Sequence, residues 1–201
     1  MAALADNLEG GFAEPVFGAQ AVFRALMDCM ARPSSITKIG APVSPPDPLE
    51  PTAAAVVCAL CDADVKLWLD APLEGSGAVR SWLTFQTGAQ LTRSAGEADF
   101  ALIADPANMP LLDRFSAGTQ EYPDRSTTLI VQLPAIEGGR PIRFAGPGVK
   151  NSATISPRGL PADFPAQWEK NHALFPRGVD LILTAGEAFL CLPRSARLIE
   201  S

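Results

Sequence analysis

The residues best suited to chemistry in this chain are few and lie far apart. Ala145-Gly146-Pro147-Gly148 runs into Lys150-Asn151-Ser152. Glycines let backbone N–H groups converge on an anion and a lysine adds charge, so Gly146, Gly148 and Lys150 form a candidate site for a phosphate or phosphonate. Pro147 removes one donor, and neither a G-x-x-x-x-G-K-[ST] nor a G-x-G-x-x-G spacing is present, so a plain turn competes with an anion nest. Arg177 and Arg194 supply guanidinium forks that fit a carboxylate or phosphate, with surface ion pairing as the alternative use. Cys58 and Cys61 have C-x-x-C spacing, but they sit in an apolar run with no second pair to complete a zinc site, which makes them structural. His172 is the only histidine. It shares a helix face with Phe164 and Trp168, where packing and a hydrogen bond are the commoner fate. No G-x-S-x-G accompanies it, the acidic residues show no paired spacing, and no metal site is expected.

These residues depend on their elements for position. Val179, Leu181 and Leu183 alternate with Asp180, Ile182 and Thr184, and the two-residue period returns at Leu190 and Leu192. Two strands are predicted, joined tightly through Ala185-Gly186-Glu187, and Ile182 makes both faces of the first apolar, as in a sheet covered on two sides. Val65, Leu67 and Leu69 mark another strand, and Ala98 to Asp105 a further one. Ala19 to Ala31 is an amphipathic helix with Val22, Leu26, Cys29 and Met30 inward, and Gln20, Arg24 and Asp28 outward. A second helix runs from Pro51 or Thr52 through Cys61, a length that also allows a strand. Ser76 to Gly88 reads as a helix with Gly88 at its end, and Asp163 with Pro165 starts a late helix. Leu111, Leu112 and Phe115 suggest a short helix. Thr128 to Ile136 is β-rich, and Gly138-Gly139 reads as a hairpin turn into Pro141 to Ala145. Helices intermingled with hairpins predict an α/β fold with a mixed sheet.

With 201 residues, 47% of them hydrophobic, the chain can bury a full core as one domain spanning residues 1–201. The net charge is −6 and no Lys/Arg run occurs, so a nucleic-acid partner is not expected. Ala53 to Cys61 is the longest apolar run, far below the ~20 residues of a spanning helix, and the N-terminus has acids and glycines where a signal peptide needs a basic start. No membrane association is expected, and a cytoplasmic location is. Four scattered cysteines point to reduced thiols.

Three stretches together resemble the PhnH family, the H subunit of the bacterial carbon–phosphorus lyase system for phosphonate use. They are VFRALMDCMARPSSI (Val22 to Ile36), TLIVQLPAIEGGRPIRFAGPGV (Thr128 to Val149) and FPRGVDLILTAGEAFLCLPR (Phe175 to Arg194), and the resemblance runs from about Phe12 to Ile199. Family members often carry threonines where this chain has Ser195 and Ala196. The resemblance implies a three-layer α/β/α fold related to pyridoxal-phosphate-dependent transferases but without the cofactor. It also implies a homodimer when isolated and a place in a core complex with the G, I and J subunits, which supports coupling of methylphosphonate to the ribose of ATP. No catalytic residues carry over. A subunit of that kind needs interface anchors, and Trp168, Phe175 and Arg177 are the candidates. The alternative is a subunit that binds ATP or methylphosphonate itself, at Gly146, Gly148, Lys150, Arg177 and Arg194.

Overall fold

The computed structural model describes residues 8–40 and 42–199, so the first seven residues of the N-terminal stretch lie outside it. Seven strands form one sheet in the order β1-β9-β8-β5-β4-β2-β3. These are β1 (Thr37–Lys38), β2 (Lys66–Leu69), β3 (Gln90–Thr92), β4 (Phe100–Ile103), β5 (Thr128–Gln132), β8 (Asp180–Ala185) and β9 (Ala188–Leu192). The pairs β2–β3, β2–β4, β4–β5 and β5–β8 are parallel, while β9 runs antiparallel to both β8 and β1. The expected tight turn closes the last hairpin, with Ala185 opposite Ala188 and Gly186 at a positive φ of 53°. The sheet is mixed, as the sequence predicts.

The two-residue period decides what each face buries. Leu67, Leu69, Leu102, Ile130, Ile182, Phe189 and Cys191 face one core, which α1 (Pro15–Ala31), α2 (Pro51–Leu60) and α4 (Gly77–Thr87) close. The alternate residues Ala101, Ile103, Leu129, Val131, Leu181, Leu183, Leu190 and Leu192 face a second core. That second face is covered by α5 (Phe164–Ala173) together with a small antiparallel sheet of β6 (Ile142–Ala145), β7 (Ala153–Ile155) and β10 (Arg197–Leu198). One layer is thus part helix and part strand.

The hairpin expected at Gly138-Gly139 does not form. Both edges of β5 are taken, by β4 and β8, so β6 pairs instead with β7 and β10 in the other sheet. A local turn signal lost to two long-range parallel pairings. The short helix expected around Leu111, Leu112 and Phe115 is a single 3-10 turn, Leu112–Arg114. In α2, Thr52 through Val57 are all buried, in keeping with an apolar run, and Pro51 at the first turn needs no N–H partner. A five-residue helix, α3 (Ala71–Gly75), follows β2; Asp70 caps it and also accepts the N–H groups of Ala104 and Asp105 at 2.7 and 2.8 Å. One carboxylate therefore ties the carboxyl ends of β2 and β4 together. Burial pushes its pKa up, against the pull of those N–H donors.

Candidate functional site

The fold separates the predicted site residues. Gly146, Pro147 and Gly148 form a turn closed by Val149 N–H donating to Gly146 O at 3.1 Å. A β-carbon on Gly148 would meet Ala31 O at 2.1 Å, and its φ is +77°. Here glycine is required by close packing on the end of α1, and with Pro147 lacking an N–H and that of Val149 already used, the turn offers an anion few donors. Lys150 is exposed beyond it.

Arg194 is committed elsewhere. Its Nε lies 3.1 Å from both carboxylate oxygens of Asp180, its Nη2 also bonds Asp180 Oδ2, and its Nη1 donates to Pro123 O at 2.7 Å. The backbone N–H of Arg194 adds a bond to Asp180 Oδ1 at 2.7 Å. The two side chains are only 16% and 17% exposed, so a ligand would have to break a nearly dry pair. His172 Nδ1 lies 2.9 Å from Arg194 O, a packed and hydrogen-bonded histidine.

Trp168, expected as an interface anchor, has no exposed surface. Its ring stacks on Phe164 at 6.0 Å and meets Phe144 edge-on at 6.4 Å, and its indole N–H donates to Ala196 O at 2.8 Å. The aromatic face of α5, Phe164 and Trp168, looks into the second core. Trp168 is therefore a core residue in this chain. Phe175, by contrast, is exposed, Arg177 is half-buried, and neither Arg177 nor Lys150 makes a side-chain ion pair among the described residues.

Burial pushes the Cys58 thiol up to about 12 and raises that of Cys61 as well, so neither is an activated thiolate. The informative thiol is one that spacing does not reveal. Cys29 Sγ on α1 accepts the backbone N–H of Cys191 at 3.1 Å and donates to Ser35 O at 3.3 Å. Its partnership with the Cys191 thiol draws it down to about 7 against the effect of burial, while Cys191 moves up. The backbone N–H of Cys191 aimed at Cys29 Sγ works in the same direction for Cys29. All four lysines are exposed, which leaves none in the enclosed, apolar surroundings that a Schiff-base lysine needs. Among the described residues, no three of His, Cys, Asp and Glu gather as a metal set, and no helix is long and apolar enough to cross a membrane.

Hollows lie in three places that bear on binding. One of about 360 Å³ sits between α5 and the 3-10 turn, with Lys170 at its rim. One of about 310 Å³ lies past the carboxyl ends of β4 and β5, and one of about 260 Å³, lined by the loops before β6 and after β7, shares Gly159 with it as a wall. Open parallel sheets bind ligands at that end of the strands.

A seven-stranded mixed sheet with helices on both faces is what these residues build, and the chain belongs to the bacterial phosphonate metabolism protein (PhnH) family, whose model matches residues 10–199. A protein of Rhizobium meliloti (strain 1021), named alpha-D-ribose 1-methylphosphonate 5-triphosphate synthase subunit PhnH, is 50% identical over 198 residues, 98% of each chain. A Stutzerimonas stutzeri protein, whose name provisionally makes it the C-P lyase subunit HtxG, is 30% identical over 81 residues, 40% of this chain and 42% of that one.

Proposed function

We propose that this chain is a non-autonomous subunit of the bacterial carbon–phosphorus lyase core, supporting the synthesis of alpha-D-ribose 1-methylphosphonate 5-triphosphate named for its Rhizobium relative. Its partners are the other core subunits, G, I and J, with self-pairing into a homodimer when it is isolated. It works in the cytoplasm as one domain. The sheet, with β9 alone against the common direction and helices on both faces, is in keeping with a transferase-type α/β/α fold that has given up pyridoxal phosphate.

One observation carries the subunit reading. Val16, Phe23 and Met27 recur along one line of α1 and are largely exposed, and Phe17 beside them is 71% exposed. The inward residues of the same helix are Val22, Leu26 and Cys29, so α1 is apolar on two faces. Scattered apolar residues on a surface are ordinary, but a helix with a second apolar line is built for a protein partner. Phe175 and Arg177 at the corner before β8 offer a smaller contact. Co-expression with the G, I and J subunits, followed by size exclusion with light scattering, tests this: a stable complex and, alone, a dimer are expected. A strict monomer that stays apart from all three subunits would refute it.

A further inference from the structure

The two hollows that share Gly159 differ in chemistry. Arg140 and Arg158 line one of them. Both are exposed, and neither forms an ion pair among the described residues. Their loops are pinned side by side: Gly139 N–H donates to Ser156 O at 2.6 Å, and Arg158 N–H to Ala135 O at 3.0 Å. A β-carbon on Gly139 would lie 2.1 Å from Pro157 O, so only glycine permits this approach. The consequence is two guanidinium groups on neighbouring, fixed backbones with no carboxylate paired to them among the described residues.

Glu50 and Asp105 line the other hollow. Glu50 Oε2 is buried and has no hydrogen-bond partner, although the backbone N–H of the same residue is held by Gln132 Oε1 at 2.9 Å. Asp105 gives one oxygen to Asn108 at 2.8 Å and keeps the other. A buried carboxylate oxygen without a donor is costly and uncommon, so a donor from outside the chain is the economical way to satisfy it. Both hollows are lined by Gly159, whose own β-carbon would strike Pro134 Cδ at 2.7 Å. Taken together, hollows of about 310 and 260 Å³ fall within the roughly 300–1,000 Å³ of small-molecule sites.

We propose that this cleft binds a phosphorylated sugar, with the phosphate on Arg140 and Arg158 and the sugar hydroxyls donating to Glu50 and Asp105. Guanidinium forks match tetrahedral dianions, and carboxylates select hydroxyl donors and repel a second anion, so the two ends impose one orientation. The choice of a sugar phosphate over other hydroxylated phosphate esters rests on the subunit reading above, while the anion site rests on the geometry alone.

Titration calorimetry of the full-length chain with inorganic phosphate, ribose 5-phosphate and ribose tests it. Ribose 5-phosphate should bind more tightly than phosphate, and ribose least. Arg140→Ala and Arg158→Ala should each weaken both phosphate ligands about tenfold. Glu50→Gln should weaken ribose 5-phosphate several-fold and leave phosphate unchanged. Lys38→Ala, on β1 at the far edge of the sheet, is the control and should change nothing. Circular dichroism melts accompany each variant, and the arginine changes, being at exposed side chains, should leave the fold intact. Absence of phosphate binding at millimolar concentrations, or binding insensitive to both arginine changes, would overturn the anion site. Equal affinity for phosphate and ribose 5-phosphate, unaltered by Glu50→Gln, would overturn the hydroxyl end. Failure to assemble with the G, I and J subunits would leave these titrations unaffected, so the two readings fail separately.

Discussion

Asp180, the first residue of β8, receives four hydrogen bonds from Arg194, one from its backbone and three from its guanidinium, across the open end of the β8–β9 hairpin. The pair does for the hairpin mouth what Gly186 does for its tip. Arg194 also reaches Pro123 O, so the same side chain anchors the loop before β5. Arg194→Ala leaves the Asp180 carboxylate in a site 17% exposed with its strongest donors gone. A loss of about 3 kcal/mol in unfolding free energy is expected by denaturant titration. Asp180→Asn with Arg194→Ala should cost clearly less than the sum of the single changes. Additive effects would mean the two residues act independently.

The buried thiol of Cys29 is expected to matter as an acceptor. Beyond the two-residue strand β1, the N–H of Cys191 has no strand carbonyl facing it, and Cys29 Sγ takes that place at 3.1 Å. Cys29→Ala leaves the donor unsatisfied in a dry site and should cost about 1–3 kcal/mol, plus a small loss of packing. Cys29→Ser restores an oxygen acceptor and should recover part of that. Equal destabilisation by the two substitutions, measured by thermal melts, would assign the whole effect to volume.

How much of this was legible in the sequence depends on the range of the forces involved. The β8–β9 hairpin, β2, α4 with its left-handed Gly88 and the inward faces of α1 and α5 follow from local periodicity and turn chemistry, and those were readable. The partner of β5 was not, because Gly138-Gly139 looks like a hairpin turn until β4 and β8 claim both edges. The same applies to the cleft. Gly139 reads as a turn residue, yet the necessity of Gly139 and Gly159 lies in contacts with Pro157 and Pro134, 18 and 25 residues away in the chain. Arg140 follows Gly139 and Arg158 precedes Gly159, and that adjacency was the only signal in the sequence. Gly146, Gly148 and Lys150 carried the stronger glycine pattern, and there the glycine packs on Ala31 instead.

Glu50 should leave a signature in the pH dependence of stability. Burial raises its pKa above the ordinary 4.5, so the folded chain holds that proton more tightly than the unfolded one. Stability contributed by this group therefore falls as pH rises from the ordinary value through the raised one. Glu50→Gln cannot ionise and removes the slope. At pH near 7 the variant is expected to melt at or above the temperature of the parent, with the difference shrinking toward about pH 4. A variant less stable than the parent at neutral pH, by a deficit that shrinks as the pH falls toward about 4, would show that the carboxylate has a donor in solution.

The outer line of α1 gives the sharpest test of what the chain is for. Val16, Phe17, Phe23 and Met27 make no contribution to either core, and replacing Phe17, Phe23 and Met27 together by Ser exchanges exposed apolar surface for polar surface. Surface changes away from packed or capped positions usually alter stability by less than about 0.5 kcal/mol each, so the isolated variant should fold and melt close to the parent. Its association should suffer far more, because aromatic residues at the centre of an interface commonly cost about 2 kcal/mol or more apiece when truncated. In pull-downs with the G, I and J subunits the triple variant is expected to be lost from the complex at concentrations where the parent is retained. The Phe175→Ser variant, at the corner before β8, serves as the comparison and should weaken retention less. If the triple variant assembles as well as the parent, α1 is not the partner face, and the corner of Phe175 and Arg177 becomes the surface to examine.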